Sequence, residues 1–433
     1  MSGELRTEAL AGEIIIKLLK WSHLLEPGMV AGAIAEAAEP LGVRAVRIYL
    51  SDLQQRSLRL LPEGGGEELA SLAISSTVAG LAYRSIRIHQ VEMPGGDRRL
   101  WIPLVDGTER LGVVEVEVTD VSEVALDAYR AIASMAGLMV VGKSTYSDAY
   151  AETRRTQAMS LQAELLWAFL PPRTFATDRV LIAATLEPAY AVGGDAFDYS
   201  LLGDSMHVAI FDAAGHDLAS GLLASVAMAS SRSTRRSGGT LAEMASLADQ
   251  AITAQFGGNR FVTALFCNLD VSTGLFTWIP CGHPPPLLIR RNRTVTELFR
   301  RQRLPLGMSE VERIHRRREE ARAAAGEAGS AASRPAASAD SDRVHTVGLE
   351  AGDRILLYTD GITEGRAADG TPFGVERLSD FIIRHTHDGT LAPEMIRRLH
   401  HAISDYQDGT LLDDATIVMV EWMPERAQER LTP

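Results

Sequence analysis

Only two cysteines, Cys267 and Cys281, occur in 433 residues. They form no Cys-x-x-Cys pair, which excludes a disulfide framework and a thiolate zinc site and points to a reducing compartment, with both thiols as small core residues. Aromatic residues make up 6% of the chain and are sparse in its N-terminal part, so nothing there suggests a haem or another tetrapyrrole. Positive charge is also in deficit: 43 Lys and Arg face 56 Asp and Glu, for a net charge of -13. Binding to nucleic acid or to an anionic membrane needs a basic surface that displaces counterions, and neither is expected. No apolar run approaches the roughly 18 residues of a membrane span. The first 20 residues carry Glu4, Glu8 and Glu13 where a signal peptide would carry a basic start and an apolar run. These absences together predict a cytoplasmic protein.

What is present is ordinary globular material, 46% hydrophobic and 23% charged, long enough for two or three domains. Residues 1–142 mix helical and strand patterns. Strands are expected at 43–50 and 57–61, and a hairpin joins 100–105 to 111–118 through Asp106-Gly107-Thr108-Glu109-Arg110, where Asp-Gly supplies the positive φ of a tight turn. This predicts one small α+β domain. Residues 143–172 read as a helical linker that Pro171-Pro172 ends, with Ala158, Leu161, Leu165 and Ala168 on one face and Arg154, Arg155 and Glu164 among the polar positions. Such a helix serves either as a rigid spacer or as a coiled-coil seam that makes a homodimer. Residues 173–425 then read as many short apolar strands with one strong helix at 218–233. An insertion at about 310–343, rich in Ala, Arg, Ser and Glu, is expected to be disordered apart from a short helix at 313–325.

The chemistry lies in acidic residues at the edges of apolar strands. His207-Val208-Ala209-Ile210-Phe211 runs into Asp212, and Ile355-Leu356-Leu357-Tyr358-Thr359 runs into Asp360, while Asp413-Asp414 precede Ala415-Thr416-Ile417-Val418. Gly193-Gly194 allow a tight turn before Asp195, with Asp198 just beyond. Any one of these is most simply a turn or a helix cap. A carboxylate beside a buried strand costs several kcal/mol to desolvate unless a cation or donor meets it, however, and there are four such places. Convergent aspartates without cysteine or clustered histidine favour hard cations, Mg²⁺ or Mn²⁺, over zinc.

The ordered series Gly193-Gly194-Asp195, Asp212-Ala213-Ala214-Gly215-His216, Phe261-Val262-Thr263-Ala264-Leu265-Phe266, Cys281-Gly282-His283-Pro284-Pro285-Pro286, Pro305-Leu306-Gly307, Tyr358-Thr359-Asp360-Gly361 and Asp413-Asp414-Ala415-Thr416 resembles the motifs of the stage II sporulation protein E type phosphatases. These are the bacterial branch of the metal-dependent PPM family. In the N-terminal part, Trp101-Ile102-Pro103-Leu104 followed by Leu111-Gly112-Val113-Val114-Glu115-Val116 resembles the closing hairpin of GAF domains.

The resemblance implies an α+β multidomain chain with a GAF-like sensor, the helical linker, and a PPM-type β-sandwich flanked by helices in α-β-β-α order. It implies two Mg²⁺ or Mn²⁺ ions. Asp212 would bridge them with help from the Ala213 carbonyl, Asp360 and Asp413 would complete the second ion, Asp195 would act directly or through water, and Asp414 would orient its neighbour or take its place as the ligand. A water held by two ions becomes a nucleophile near neutral pH, and no covalent phosphoenzyme is needed. His216 invites a role as general acid, and His283 reads more simply as the brace of a turn. Ala213 stands where many PPM enzymes have glycine, which removes no ligand. The implied substrate is a phosphorylated anti-anti-sigma factor of the STAS type, with an unknown small ligand at the sensor. The rival reading is a non-catalytic pseudophosphatase, which the retention of every aspartate disfavours.

Overall fold

The computed structural model describes residues 3–62, 70–257, 260–290, 294–308, 344–387, 390–409, 411 and 413–424. The chain divides into two compact units, Met1–Ala158 and Met159–Gln428.

The first unit is built on an antiparallel sheet of β1 (Val43–Ser51), β2 (Ser57–Leu60), β3 (Ser71–Ala73), β4 (His89–Glu92), β5 (Arg98–Asp106) and β6 (Glu109–Val118), in the order β3-β2-β1-β6-β5-β4. The strands expected at 43–50 and 57–61 are present. The hairpin is tighter than its five-residue turn suggested, because Asp106 pairs with Glu109 and Gly107 takes a φ of +58°. Alternation divides the side chains of these strands between two faces. Val46, Ile48, Leu100, Ile102, Val114 and Val116 pack with helices α1 (Gly3–Ser22), α2 (Val30–Ala38) and α4 (Glu123–Ser144). Tyr49, Trp101 and Val113 pack with Ala79, Ala82 and Tyr83 of α3 (Val78–Ser85). On that second face the buried Glu115 is satisfied by Tyr49 Oη at 3.0 Å and Arg47 at 3.0 Å. A cavity between the sheet and its helices, lined by Ile34, Val46, Ile102, Val116 and Tyr129 among others, has a volume of about 10 Å³, room for about one water.

The single linker helix expected over 143–172 is three pieces. Ser122 caps α4, which runs to Ser144 and is long and apolar enough to cross a bilayer by length and composition, but its Tyr129, Ile132, Ala136 and Val140 are buried in the core of this unit. Helix α5 (Ala149–Arg154) buries Tyr150 and ends where Arg155 turns extended. A new start follows: the Ser160 hydroxyl accepts from the Ala163 N–H and opens α6 (Leu161–Phe169). Helix α6 belongs to the second unit, where Ala163 and Leu166 are fully buried in the core while Leu161, placed on the expected seam, is 65% exposed. Short apolar helices bury one face, and here the buried face of each packs into the core of its own unit.

The second unit stacks two antiparallel sheets. One has the order β15-β12-β11-β10-β9 and is formed by β9 (Asp195–Leu202), β10 (Ser205–Ala213), β11 (Val262–Asp270), β12 (Leu275–Cys281) and β15 (His345–Gly348). The other has the order β14-β13-β16-β17-β8-β7, from β7 (Thr174–Ala176), β8 (Val180–Glu187), β13 (Leu287–Arg290), β14 (Thr294–Glu297), β16 (Arg354–Tyr358) and β17 (Ala415–Trp422). Every residue of β8 and β17 is buried, as central strands covered on both faces must be. Helices α7 (Leu218–Arg236) and α8 (Leu241–Phe256) cover the first sheet, and the helix Ala392–Tyr406 covers β8 and β17. The α-β-β-α order is therefore present.

Sequence reading found α7 but passed over α8 and the helices Gly374–His387 and Ala392–Tyr406. The signal for α8 was there in Thr240-x-x-Glu243, a capping box in which Thr240 receives the Glu243 N–H and Glu243 receives the Thr240 N–H. The insertion at 310–343 and its helix at 313–325 lie outside the described residues.

Candidate metal centre

The predicted aspartates are brought together at one end of the paired sheets by strand register. Asp195 opens β9 and pairs across the ladder with Asp212 near the end of β10, and Asp212 in turn pairs with Thr263 on β11. From the other sheet, Asp360 begins a one-turn helix just past β16, and Asp413-Asp414 lead into β17. Thr359 joins the two groups: its hydroxyl donates to Asp195 Oδ2 at 2.8 Å and accepts from the Thr416 N–H at 2.9 Å.

The two adjacent aspartates have different environments. Asp414 Oδ2 accepts the main-chain N–H groups of Gly193, Gly194 and Asp195 at 2.8, 2.7 and 3.1 Å. That oxygen holds the turn that presents Asp195. Asp413 is exposed, and its Oδ1 accepts the Asp414 N–H at 2.9 Å. The turn demands glycine at 194, because a Cβ there would lie 2.4 Å from the Ala213 carbonyl oxygen. The Ala213 N–H donates to the Gly194 carbonyl at 3.2 Å, so this exchange locks the start of the Asp195 strand against the end of the Asp212 strand.

The electrostatics show five carboxylates acting on one another. Burial pushes Asp212 up to about 7, aided by the charges of Asp360, Asp413 and Asp414 and opposed by the Thr263 hydroxyl. Burial raises Asp195 well above the usual range, with Asp212 and Asp414 adding to the effect. Asp360 is raised by burial, then by Asp413 and Glu364. Burial also raises Asp414, against the pull of its three N–H donors. Among the described residues no three of these side chains converge on one point at ligand distance. Mutually repelling carboxylates, of which Asp195 and Asp414 are buried and Asp212 and Asp360 half-buried, are nonetheless the donor set that a hard divalent cation fits.

Asp198, three positions past Asp195, points to the opposite side of β9 and pairs with Arg232 and Arg235 of α7, both at 2.7 Å. His216 lies exposed in the turn before α7, and its carbonyl accepts from Gln162 at 3.5 Å. Among the described residues no hydrogen bond joins its ring to an aspartate. His283, read from sequence as the brace of a turn, is buried with its Nδ1 3.0 Å from the Thr263 hydroxyl, and its carbonyl accepts from Gln302 at 3.2 Å. Thr263 and Thr359 were not singled out in the sequence. Both stand inside motifs, but nothing local shows that their hydroxyls reach carboxylates on other strands.

The sequence pattern of the family described as Stage II sporulation protein E (SpoIIE) matches residues 203–328 and 334–423. Phosphoserine phosphatase RsbU of Bacillus subtilis (strain 168) is 22% identical over 264 residues, 61% of this chain and 68% of that protein. The structure of the RsbU and RsbW domains of Rv1364c from Mycobacterium tuberculosis is similar at 24% identity and a TM-score of 0.42, over 57% of this chain and 63% of that one. The SiaA-PP2C domain of Pseudomonas aeruginosa is similar at 20% identity and a TM-score of 0.43, over 55% of this chain and 85% of that one. The present chain thus spans less than two thirds of the Mycobacterium relative. It belongs to the Stage II sporulation protein E (SpoIIE) family, through the unit that holds the aspartates.

Proposed function

We propose that this chain is a protein serine/threonine phosphatase whose substrate is a phosphorylated STAS-type anti-anti-sigma protein in a partner-switching pathway, controlled by its GAF-like N-terminal unit. The observation that carries the reading is the gathering of Asp195, Asp212, Asp360, Asp413 and Asp414 at one end of two stacked sheets. In this reading Asp212, Asp360 and Asp413 hold two Mn²⁺ or Mg²⁺ ions, with the Ala213 carbonyl and Asp195 beside them. Such ions supply positive charge that activates water and stabilises the charge developing on phosphoryl oxygens.

The chain's own residues supply the order. Asp414 fixes the Gly193–Asp195 turn, Thr359 fixes the Asp195 carboxylate, and the exposed His216, in the turn that follows β10, would serve as proton donor to the departing serine oxygen. The name of the Bacillus relative, a phosphoserine phosphatase, supports the substrate class. The six-stranded antiparallel sheet with helices on both faces supports a GAF-like sensor for a small ligand. Leu161 and Phe169, 65% and 46% exposed on α6, offer apolar surface for a homodimer through the 143–172 segment.

Hydrolysis of an aryl phosphate and of a phosphoserine STAS protein with Mn²⁺, Mg²⁺ or chelator tests this reading. We expect metal-dependent turnover in the native chain and loss of at least about 100-fold in Asp212→Asn and Asp360→Asn. Turnover that persists in chelator, or in both variants, would overturn it.

A further inference from the structure

We infer that Thr263 and His283 form a hydrogen-bonded brace that orients the Asp212 carboxylate for metal binding, so that both are positioning residues of the centre. The inference rests on the metal reading above and deepens it.

The geometry is a chain of three groups. Thr263 lies directly across the ladder from Asp212, with its hydroxyl 3.3 Å from Asp212 Oδ2 and 3.0 Å from His283 Nδ1. A hydroxyl has one proton and can donate to only one of these neighbours. If it donated to His283, a carboxylate oxygen would face it with no proton between. The alternative satisfies both contacts: His283 Nδ1–H donates to the Thr263 oxygen, and the Thr263 O–H donates to Asp212. That tautomer leaves Nε2 as an acceptor. Nε2 is buried with no hydrogen-bond partner among the described residues, and burial outweighs the Tyr358 main chain, which favours the protonated ring.

The ring is also held neutral and still. Complete burial pushes its pKa down to about 3, so His283 adds no positive charge that would compete with a cation. Pro284-Pro285-Pro286 follow it, and the Gln302 side chain holds its carbonyl. A buried imidazole is costly unless it is bonded, and in this structure its side-chain bond is to the group that touches Asp212.

The brace also spans the sheets. Thr263 belongs to the sheet that carries Asp212, whereas Tyr358 stands two residues before Asp360 on the other. His283 thus sits between the strands that deliver two of the proposed ligands. Hydrogen-bonded partners behind a ligand fix its direction, and their loss typically costs about 10- to 100-fold in metal affinity.

The test is a calorimetric Mn²⁺ titration of the full chain, native and substituted, with thermal unfolding in chelator as a second readout. Thr263→Val should weaken Mn²⁺ binding about 10- to 100-fold, and Thr263→Ser should restore it. His283→Leu should weaken binding to the same degree, while His283→Asn, which keeps a donor near Nδ1, should do so less. Because the two residues act in series, Thr263→Val/His283→Leu should bind Mn²⁺ no worse than the weaker single variant. Turnover at saturating Mn²⁺ should fall less than affinity does. If Thr263→Val unfolds with the native midpoint in chelator and binds Mn²⁺ within about twofold of the native chain, the inference is wrong and the metal reading stands. Independent, multiplying losses in the double variant would also overturn the brace. A native chain that binds no Mn²⁺ would remove both.

Discussion

Replacing Asp212 by asparagine should make the metal-free protein more stable while abolishing its metal binding. In the folded chain burial and the charges of Asp360, Asp413 and Asp414 push the Asp212 carboxyl up to about 7, from 3.8 when exposed. Between those two values the folded chain keeps a proton that the unfolded chain has released, so stability falls as pH rises through that window and levels off above it. A rise of this size corresponds to about 4 kcal/mol against folding at neutral pH. Neighbouring aspartates take up part of the proton, which brings the expected gain from the neutral amide to about 2–4 kcal/mol. Asparagine keeps an acceptor for the Thr263 hydroxyl, so that hydrogen bond is not lost. In a domain of this size such a gain raises the melting temperature by at least about 4 °C.

The assay is scanning calorimetry in chelator at pH 7.5 and pH 5, followed by the same scans in Mn²⁺. Asp212→Asn should melt higher than the native chain at pH 7.5, and the gap should narrow by more than half at pH 5. Added Mn²⁺ should reverse the order, because only the native chain gains from the ion. A variant that melts at or below the native temperature in chelator at pH 7.5 would refute the claim that repelling, buried carboxylates strain this end of the sheets.

Three further outcomes follow from the structure. Asp414→Ala leaves three buried N–H groups without their acceptor and should destabilise the second unit by about 3 kcal/mol or more, whereas Asp414→Asn, which keeps one oxygen, should cost less. Urea unfolding of both variants measures the difference. Leu166→Ala should cost about 2–5 kcal/mol, since Leu166 is fully buried in the core of the second unit. By the same reasoning a fragment that begins at residue 173 should be markedly less stable than one that begins at 159, and the calorimetric midpoints of the two fragments check this.

How much of this was legible in the sequence depended on how local the determining physics is. Strand edges, the Asp106-Gly107 turn, the helix that became α7 and the ordered aspartate motifs are written in short windows, and each stands close to where it was read. The 143–172 segment was misread as one helix because helical propensity is local but continuity is not. Ser122 and Ser160 start separate helices, and each helix buries its apolar face in a different core. The aspartates themselves were legible, yet their division of labour was not. Asp413 and Asp414 are adjacent and chemically identical, and only the folded chain brings three N–H groups from 220 residues away to one of them.

The same holds for Thr263, Thr359 and His283. Residue type and motif order come from the sequence alone, and they determined the family, the acidic chemistry and the candidate ligands. Which hydroxyl meets which carboxylate is set by the register of β10 against β11 and by the stacking of two sheets whose strands come from distant parts of the chain. Only tertiary structure decides that, because a hydrogen bond depends on a few tenths of an ångström between groups that the sequence holds far apart.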